Sequence, residues 1–179
     1  MNKPLWALAV ACVALAACQT EPHIQTGADA EVIDGNLHRV DNTSLDKSYI
    51  DPEVDFSQYN AVLLQPLSFD DLKIVQPNVN LRLPGNPQWQ LTDRDKTQLA
   101  DAYRKAMATK LTENGIFSLA SAPGPGTVTL SARLVRLAPN APKDDFESRP
   151  IGRTRIVTEG FGSATIAFTL ADSVTGNVL

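Results

Sequence analysis

Two cysteines, two histidines and two tryptophans are all that this 179-residue chain carries of those three residue types. Such scarcity narrows the chemistry at once. Cys12 and Cys18 lie within the first 18 residues, and His23 and His38 lie before residue 57. From residue 57 onward there is no thiol to serve as nucleophile, redox partner or metal ligand, and no imidazole to serve as base. An excess of positive charge is missing too. Lys and Arg total 16 against 20 Asp and Glu, a net of -4, whereas a dedicated nucleic-acid binder carries a basic face and an alkaline pI. No G-x-S-x-G, G-x-G-x-x-G or G-x-x-x-x-G-K-[ST] pattern occurs, so neither a nucleophile elbow nor a phosphate-cradling loop is signalled. What remains is ordinary globular composition, 43% hydrophobic and 20% charged, with length for one domain and a sizeable core.

The amino terminus carries the most specific signal. Lys3 supplies a positive n-region, and the stretch from Leu5 to Leu15 is apolar. It falls short of the roughly 20 residues that a spanning helix needs and reads as a secretory signal. Leu15-Ala16-Ala17-Cys18 resembles the bacterial lipobox: a branched apolar residue, two small ones, then a cysteine. That resemblance implies cleavage between Ala17 and Cys18 and lipidation of the Cys18 thiol, palmitate included. Each buried methylene contributes about 0.8 kcal/mol, and two or more chains give stable anchoring. Gln19 in place of an inner-membrane retention Asp favours the outer membrane, facing the periplasm. With Cys12 removed and Cys18 lipidated, no disulfide is available to the mature chain.

Charge then divides the sequence. Residues 19–56 hold nine acids (Glu21, Asp29, Glu31, Asp34, Asp41, Asp46, Asp51, Glu53 and Asp55) against Arg39 and Lys47, a net of -7. Their apolar residues follow no period and are interrupted by Pro22, Gly27, Gly35 and Pro52. The expectation is a flexible acidic tether over 18–56 that cannot bury enough apolar surface to fold. Residues 57–179 are expected to form a single domain.

Within that body, residues 60–66 read as a strand ended by Pro66, and the Pro- and Asn-rich residues 67–91 as a loop. Thr92 and Asp95 form a capping-box pattern, followed at helical spacing by Leu99, Tyr103, Ala106, Met107 and Leu111. Asp101 and Lys105 stand as an i,i+4 pair, and Asn114-Gly115 gives the stop. A short strand over 116–119 leads to the turn at Pro123-Gly124-Pro125-Gly126. Residues 127–137 alternate, with Val128, Leu130, Ala132 and Leu134 on one face. A polar loop over 138–153 precedes a second alternating segment through Ala164, Ile166, Phe168 and Leu170, with Gly160 and Gly162 marking a bulge or bend. The chain stops two residues into a final strand at Val178, so the C-terminal hairpin reads as truncated. These elements predict an α+β fold: one amphipathic helix packed on a mostly antiparallel sheet, after a signal peptide over 1–17 and the tether.

Four features of the body, Phe56-x-x-Tyr59-x-x-Val62-Leu63-Leu64-x-Pro66, the amphipathic helix, the Pro-Gly-Pro-Gly turn and Ala171-Asp172-Ser173-x-Thr175-Gly176, together resemble the domain of unknown function 3313 family of bacterial lipoproteins. The resemblance spans roughly residues 47–179 and implies an envelope lipoprotein. Its motifs are turns and strand edges, so no catalytic residue carries over.

Candidate sites are few. Asp70-Asp71 and Asp144-Asp145 read as solvated loop acids, and Asp93 and Asp95 serve the helix N-terminus. No acidic series suits calcium, and neither a metal nor a cofactor is expected. Arg133, Arg136, Lys143, Arg149, Arg153 and Arg155 concentrate positive charge near Asp144, Asp145 and Glu147. Arg133, Arg136, Arg149, Arg153 and Arg155 form the candidate patch for an anionic partner such as lipid headgroups or the chain's own acidic tether. The expected function is a non-catalytic binding or scaffolding module of the cell envelope. Its partners would be the membrane through the lipid and an envelope protein or anionic lipid, with no nucleic acid. The alternative is a carboxylate-dependent hydrolase acting on an envelope glycan.

Overall fold

The computed structural model describes residues 21–77, 88–140 and 162–179, and the chain divides into two units at Pro52/Glu53. Cys18, Ala17 and the expected signal peptide lie outside the described residues, as do Gly160 and most of the expected loop over 138–153.

Residues 21–52 correct the expectation of a formless tether. Strands β1 (His23–Ile24), β2 (Val32–Ile33), β3 (Leu37–Asp41) and β4 (Tyr49–Ile50) form a small antiparallel sheet around β3. The β2–β3 reversal uses Asp34 at φ 51° and Gly35 at φ 90°, the left-handed pair that tight hairpins require. Only Leu37 is buried in this unit among the described residues, so polar bonds carry much of the cohesion. Gln25 donates through Nε2 to Asp41 at 2.8 Å, and His38 Nδ1 lies 2.7 Å from the Gln25 carbonyl. Arg39 stands 3.9 Å from both Glu31 and Asp41 and stacks over the Tyr49 ring at 5.6 Å. The acids expected to keep the segment unfolded are in part its hydrogen-bond acceptors.

In the second unit Asp55 caps a 3₁₀ turn at Phe56–Gln58. Strand β5 (Ala61–Ser68) runs through Pro66 rather than stopping there. Pro66 has no N–H to give a ladder, and the register accordingly slips between Leu64 and Leu67. After β6 (Lys73–Ile74), helix α1 (Asp93–Thr112) opens with the full capping box. The Thr92 hydroxyl accepts from the Asp95 N–H at 3.2 Å, and the Asp95 carboxylate accepts from the Thr92 N–H at 2.9 Å. Among the described residues Lys110 and Glu113 form an ion pair at the end of this helix at 2.9 Å, and the expected Asp101–Lys105 pair is not formed. Strands β7 (Ser118–Leu119), β8 (Thr127–Pro139) and β9 (Gly162–Asp172) complete the unit.

The fold is α+β as the sequence predicts, but the sheet beneath the helix is mixed, not mostly antiparallel. β5 pairs in parallel with β7 and β8, β6 pairs in parallel with β8, and β8–β9 is antiparallel. A parallel pair needs a crossover, and the connection holding α1 supplies it between β5 and β8. β9 follows β8 along its whole length, so β5 and β6 share the opposite edge in series. The helix-side face buries Val62, Leu67, Val128, Leu130, Ala132 and Leu134. Tyr103, Met107 and Leu111 of α1 pack on it. Leu99 and Ala106, expected in that stripe, are exposed, and Ala100 packs in their place.

Candidate interaction site

The motif residues that carry the family resemblance meet at one end of the sheet. The Asp172 carboxylate accepts from the Val174 and Thr175 N–H groups at 3.0 and 2.7 Å and from the Thr175 hydroxyl at 3.0 Å. Its second oxygen accepts from the Tyr59 hydroxyl at 3.0 Å. The Thr175 backbone bond, then the Thr175 hydroxyl, hold the Asp172 carboxyl below the ordinary carboxylate range. Burial, then Asp172, push the Tyr59 phenol up. Ser173 Oγ donates to the Gly124 carbonyl at 3.0 Å and accepts from the Gly124 N–H at 3.1 Å. Gly126, at φ 68°, lies where a Cβ would meet the Gln58 carbonyl at 3.1 Å. Every polar group named here has a partner. The cluster is a clasp between turns of the unit that lie far apart in sequence.

The expected basic patch is described only at Arg133 and Arg136; Arg149, Arg153 and Arg155 lie outside the described residues. Both described arginines are exposed. They stand opposite Ala167 and Thr165 of β9, on the face away from α1. Lys73 is the register partner of Arg136, a third cation that sequence spacing did not connect to the other two. Asp70 and Asp71 occupy the turn just before Lys73, where the Ser68 hydroxyl donates to Asp70 at 2.7 Å. Asp144 and Asp145 fall outside the described residues. A shallow groove of about 390 Å³ follows the exposed side of α1, lined by Ala102, Lys105, Ala106, Thr109 and Lys110 with no carboxylate among them. Among the described residues, no three His, Cys, Asp or Glu side chains come together as a metal-binding group.

The feature that sequence reasoning missed is the outer side of β9. Ile166, Phe168 and Leu170 stand opposite Leu134, Ala132 and Leu130 and therefore share the apolar face of the sheet. Those partners on β8 are 4–6% exposed, yet Ile166 is 40%, Phe168 43% and Leu170 39% exposed. Helix α1 packs on the strands at the other side of β8 and leaves the β9 stripe open. Among the described residues, the outer edge of β9 is paired only near its end, where Asp172 N–H donates to Asn177, Leu179 N–H donates to Leu170 and Ala171 bridges Val178. Alternation announces which face a residue takes, but not whether anything covers it.

No helix among the described residues is long and apolar enough to cross a membrane. No curated protein and no solved structure matches the chain. The model of the family described as "Protein of unknown function (DUF3313)" matches residues 26–179, which takes in most of the small acidic sheet as well as the helix-bearing unit. The chain belongs to that family.

Proposed function

We propose that this protein is a lipoprotein anchored through Cys18 to the outer membrane, facing the periplasm, whose body is a non-catalytic binding or scaffolding module of the envelope. The observation that carries the binding role is the exposed apolar stripe Ile166, Phe168 and Leu170 on β9. Contiguous apolar surface marks interaction sites. The lipobox-like Leu15-Ala16-Ala17-Cys18 supports the anchor. The exposed Arg133 and Arg136, with Lys73 beside them, give the opposite face a positive character suited to anionic headgroups.

A photo-crosslinking residue placed at position 168 in intact envelopes tests the binding role. One discrete adduct is expected from position 168 and none from position 131, on the other face of the sheet. Equal, diffuse labelling from both positions would remove the support that β9 gives to this reading. A carboxylate-dependent glycan hydrolase requires two facing carboxylates in a cleft. The described pair Asp70-Asp71 instead lies in a turn, with Asp70 engaged by Ser68.

A further inference from the structure

Resting on the reading of the chain as anchored at Cys18, we propose that the face of the mixed sheet opposite α1 lies on an anionic phospholipid bilayer. Lys73, Arg133 and Arg136 contact the lipid phosphates, and the helix side of the sheet looks away from the membrane. The bulge in β8 is what assembles this face. Side chains alternate between faces along a strand, so residues three apart should point oppositely. Arg133 pairs with Ala167 and Leu134 with Ile166, but Arg136, not Val135, pairs with Thr165. The extra residue at 135 turns Arg136 back onto the side of Arg133, as bulges re-aim side chains. Both arginines are exposed, while Leu134 between them is buried on the helix side.

The parallel partners extend the same face. Lys73 stands opposite Arg136 and Ser68 opposite Arg133, so the cations occupy neighbouring strands about 5 Å apart. Lys73 and Arg136 are like charges in direct register, an arrangement that costs stability unless an anion joins them. Among the described residues no carboxylate forms an ion pair with any of the three. Strands β5 to β9 carry one acid, Asp172, and it is already engaged by Tyr59 and Thr175. Asp70 and Asp71 lie in the turn before Lys73, and Asp70 is engaged by Ser68. Ser131, Thr165 and Thr169 are exposed on the same face, so hydroxyls and cations together form an open polar surface. A tether to the bilayer raises the effective concentration of headgroups, and each Lys or Arg near an anionic surface adds to the attraction.

Fluorescence quenching in reconstituted vesicles tests the proposal with the full acylated chain. A fluorophore is attached through Ser131→Cys on the proposed face or through Ala102→Cys on the exposed side of α1, and the vesicles carry a headgroup-linked quencher. Recovery with phosphatidylcholine vesicles reads the anchor alone. The change made by adding phosphatidylglycerol reads the face, so the two readings fail separately. Phosphatidylglycerol should give strong quenching at position 131 and little at position 102. Each of Lys73→Gln, Arg133→Gln and Arg136→Gln should lower the docked-to-free ratio about fivefold, and all three together about a hundredfold. High salt should release the domain. Quenching at 131 that is equal in neutral vesicles, equal at 102, or untouched by the triple variant overturns the proposal. So does inorganic phosphate that releases the domain more than chloride at equal ionic strength, which would make a soluble phosphate compound the occupant. A discrete protein adduct from position 131 in intact envelopes also overturns it, while leaving the binding role read at position 168 standing.

Discussion

Tyr103→Phe should stabilise the helix-bearing unit, an outcome opposite to that of most substitutions of a buried residue. Tyr103 is 9% exposed and packs with Leu67, Ala132 and Leu134. Its hydroxyl is buried and has no hydrogen-bond partner among the described residues, and burial pushes its phenol pKa up. An unmade hydrogen bond on a desolvated group costs about 1–3 kcal/mol. Phenylalanine keeps the ring and removes that cost, less the small void left where the oxygen was. The expected net gain is about 1 kcal/mol, or a rise in Tm of roughly 3–6 °C for a unit of this size. Tyr103→Ala, which also removes the ring, should cost about 3–5 kcal/mol. Thermal and urea unfolding of the two variants beside the parent measure both numbers. A loss of about 1 kcal/mol or more in the phenylalanine variant would refute the reasoning, because it would mean the hydroxyl has a partner.

The Asp172 clasp makes stability depend on acid. Its carboxyl titrates below the ordinary carboxylate range in the folded protein, so its contribution is present above the unfolded value of about 3.9 and is lost as pH falls through the folded value. Asp172→Asn should therefore lower Tm at pH 6, with the gap to the parent closing below about pH 4; a gap that widens in acid contradicts the assignment. Gly162 has φ 108°, and a Cβ there would stand 2.3 Å from the Ala138 carbonyl oxygen, so Gly162→Ala should destabilise the β8–β9 pair by about 1–3 kcal/mol, read by urea midpoint. Limited proteolysis should spare residues 23–50, because β1–β4 tie that stretch together. Cleavage there at the rate of an unstructured peptide would restore the tether.

The helix was legible because its signals are local. Thr92 and Asp95 meet within one turn, and Tyr103, Met107 and Leu111 repeat at helical spacing. The buried face of β8 was legible for the same reason, as Val128, Leu130, Ala132 and Leu134 alternate without interruption. Strand direction was not, because alternation is identical in parallel and antiparallel ladders and only the long-range partner decides it. The small N-terminal sheet escaped because β1, β2 and β4 are two residues each, too short to carry a period. Asp34-Gly35-Asn36 after Val32-Ile33 was the available hairpin signal. At the candidate site, Arg133 and Arg136 were visible in sequence, but Lys73 joins Arg136 only through the β6–β8 register. Ile166, Phe168 and Leu170 of β9 alternate as the buried residues of β8 do, so the pattern alone does not tell an open stripe from a covered one. Its exposure follows from where α1 lies, which no pattern within residues 162–172 encodes.

The central claim, a binding module held at the envelope by lipid, rests first on Cys18. Cells labelled with radioactive palmitate and fractionated, expressing either the parent or Cys18→Ser, test it most directly. The account predicts label in the parent, its recovery with outer membranes, and an unlabelled Cys18→Ser product that is uncleaved or soluble. Undiminished palmitate in the Cys18→Ser protein would contradict it.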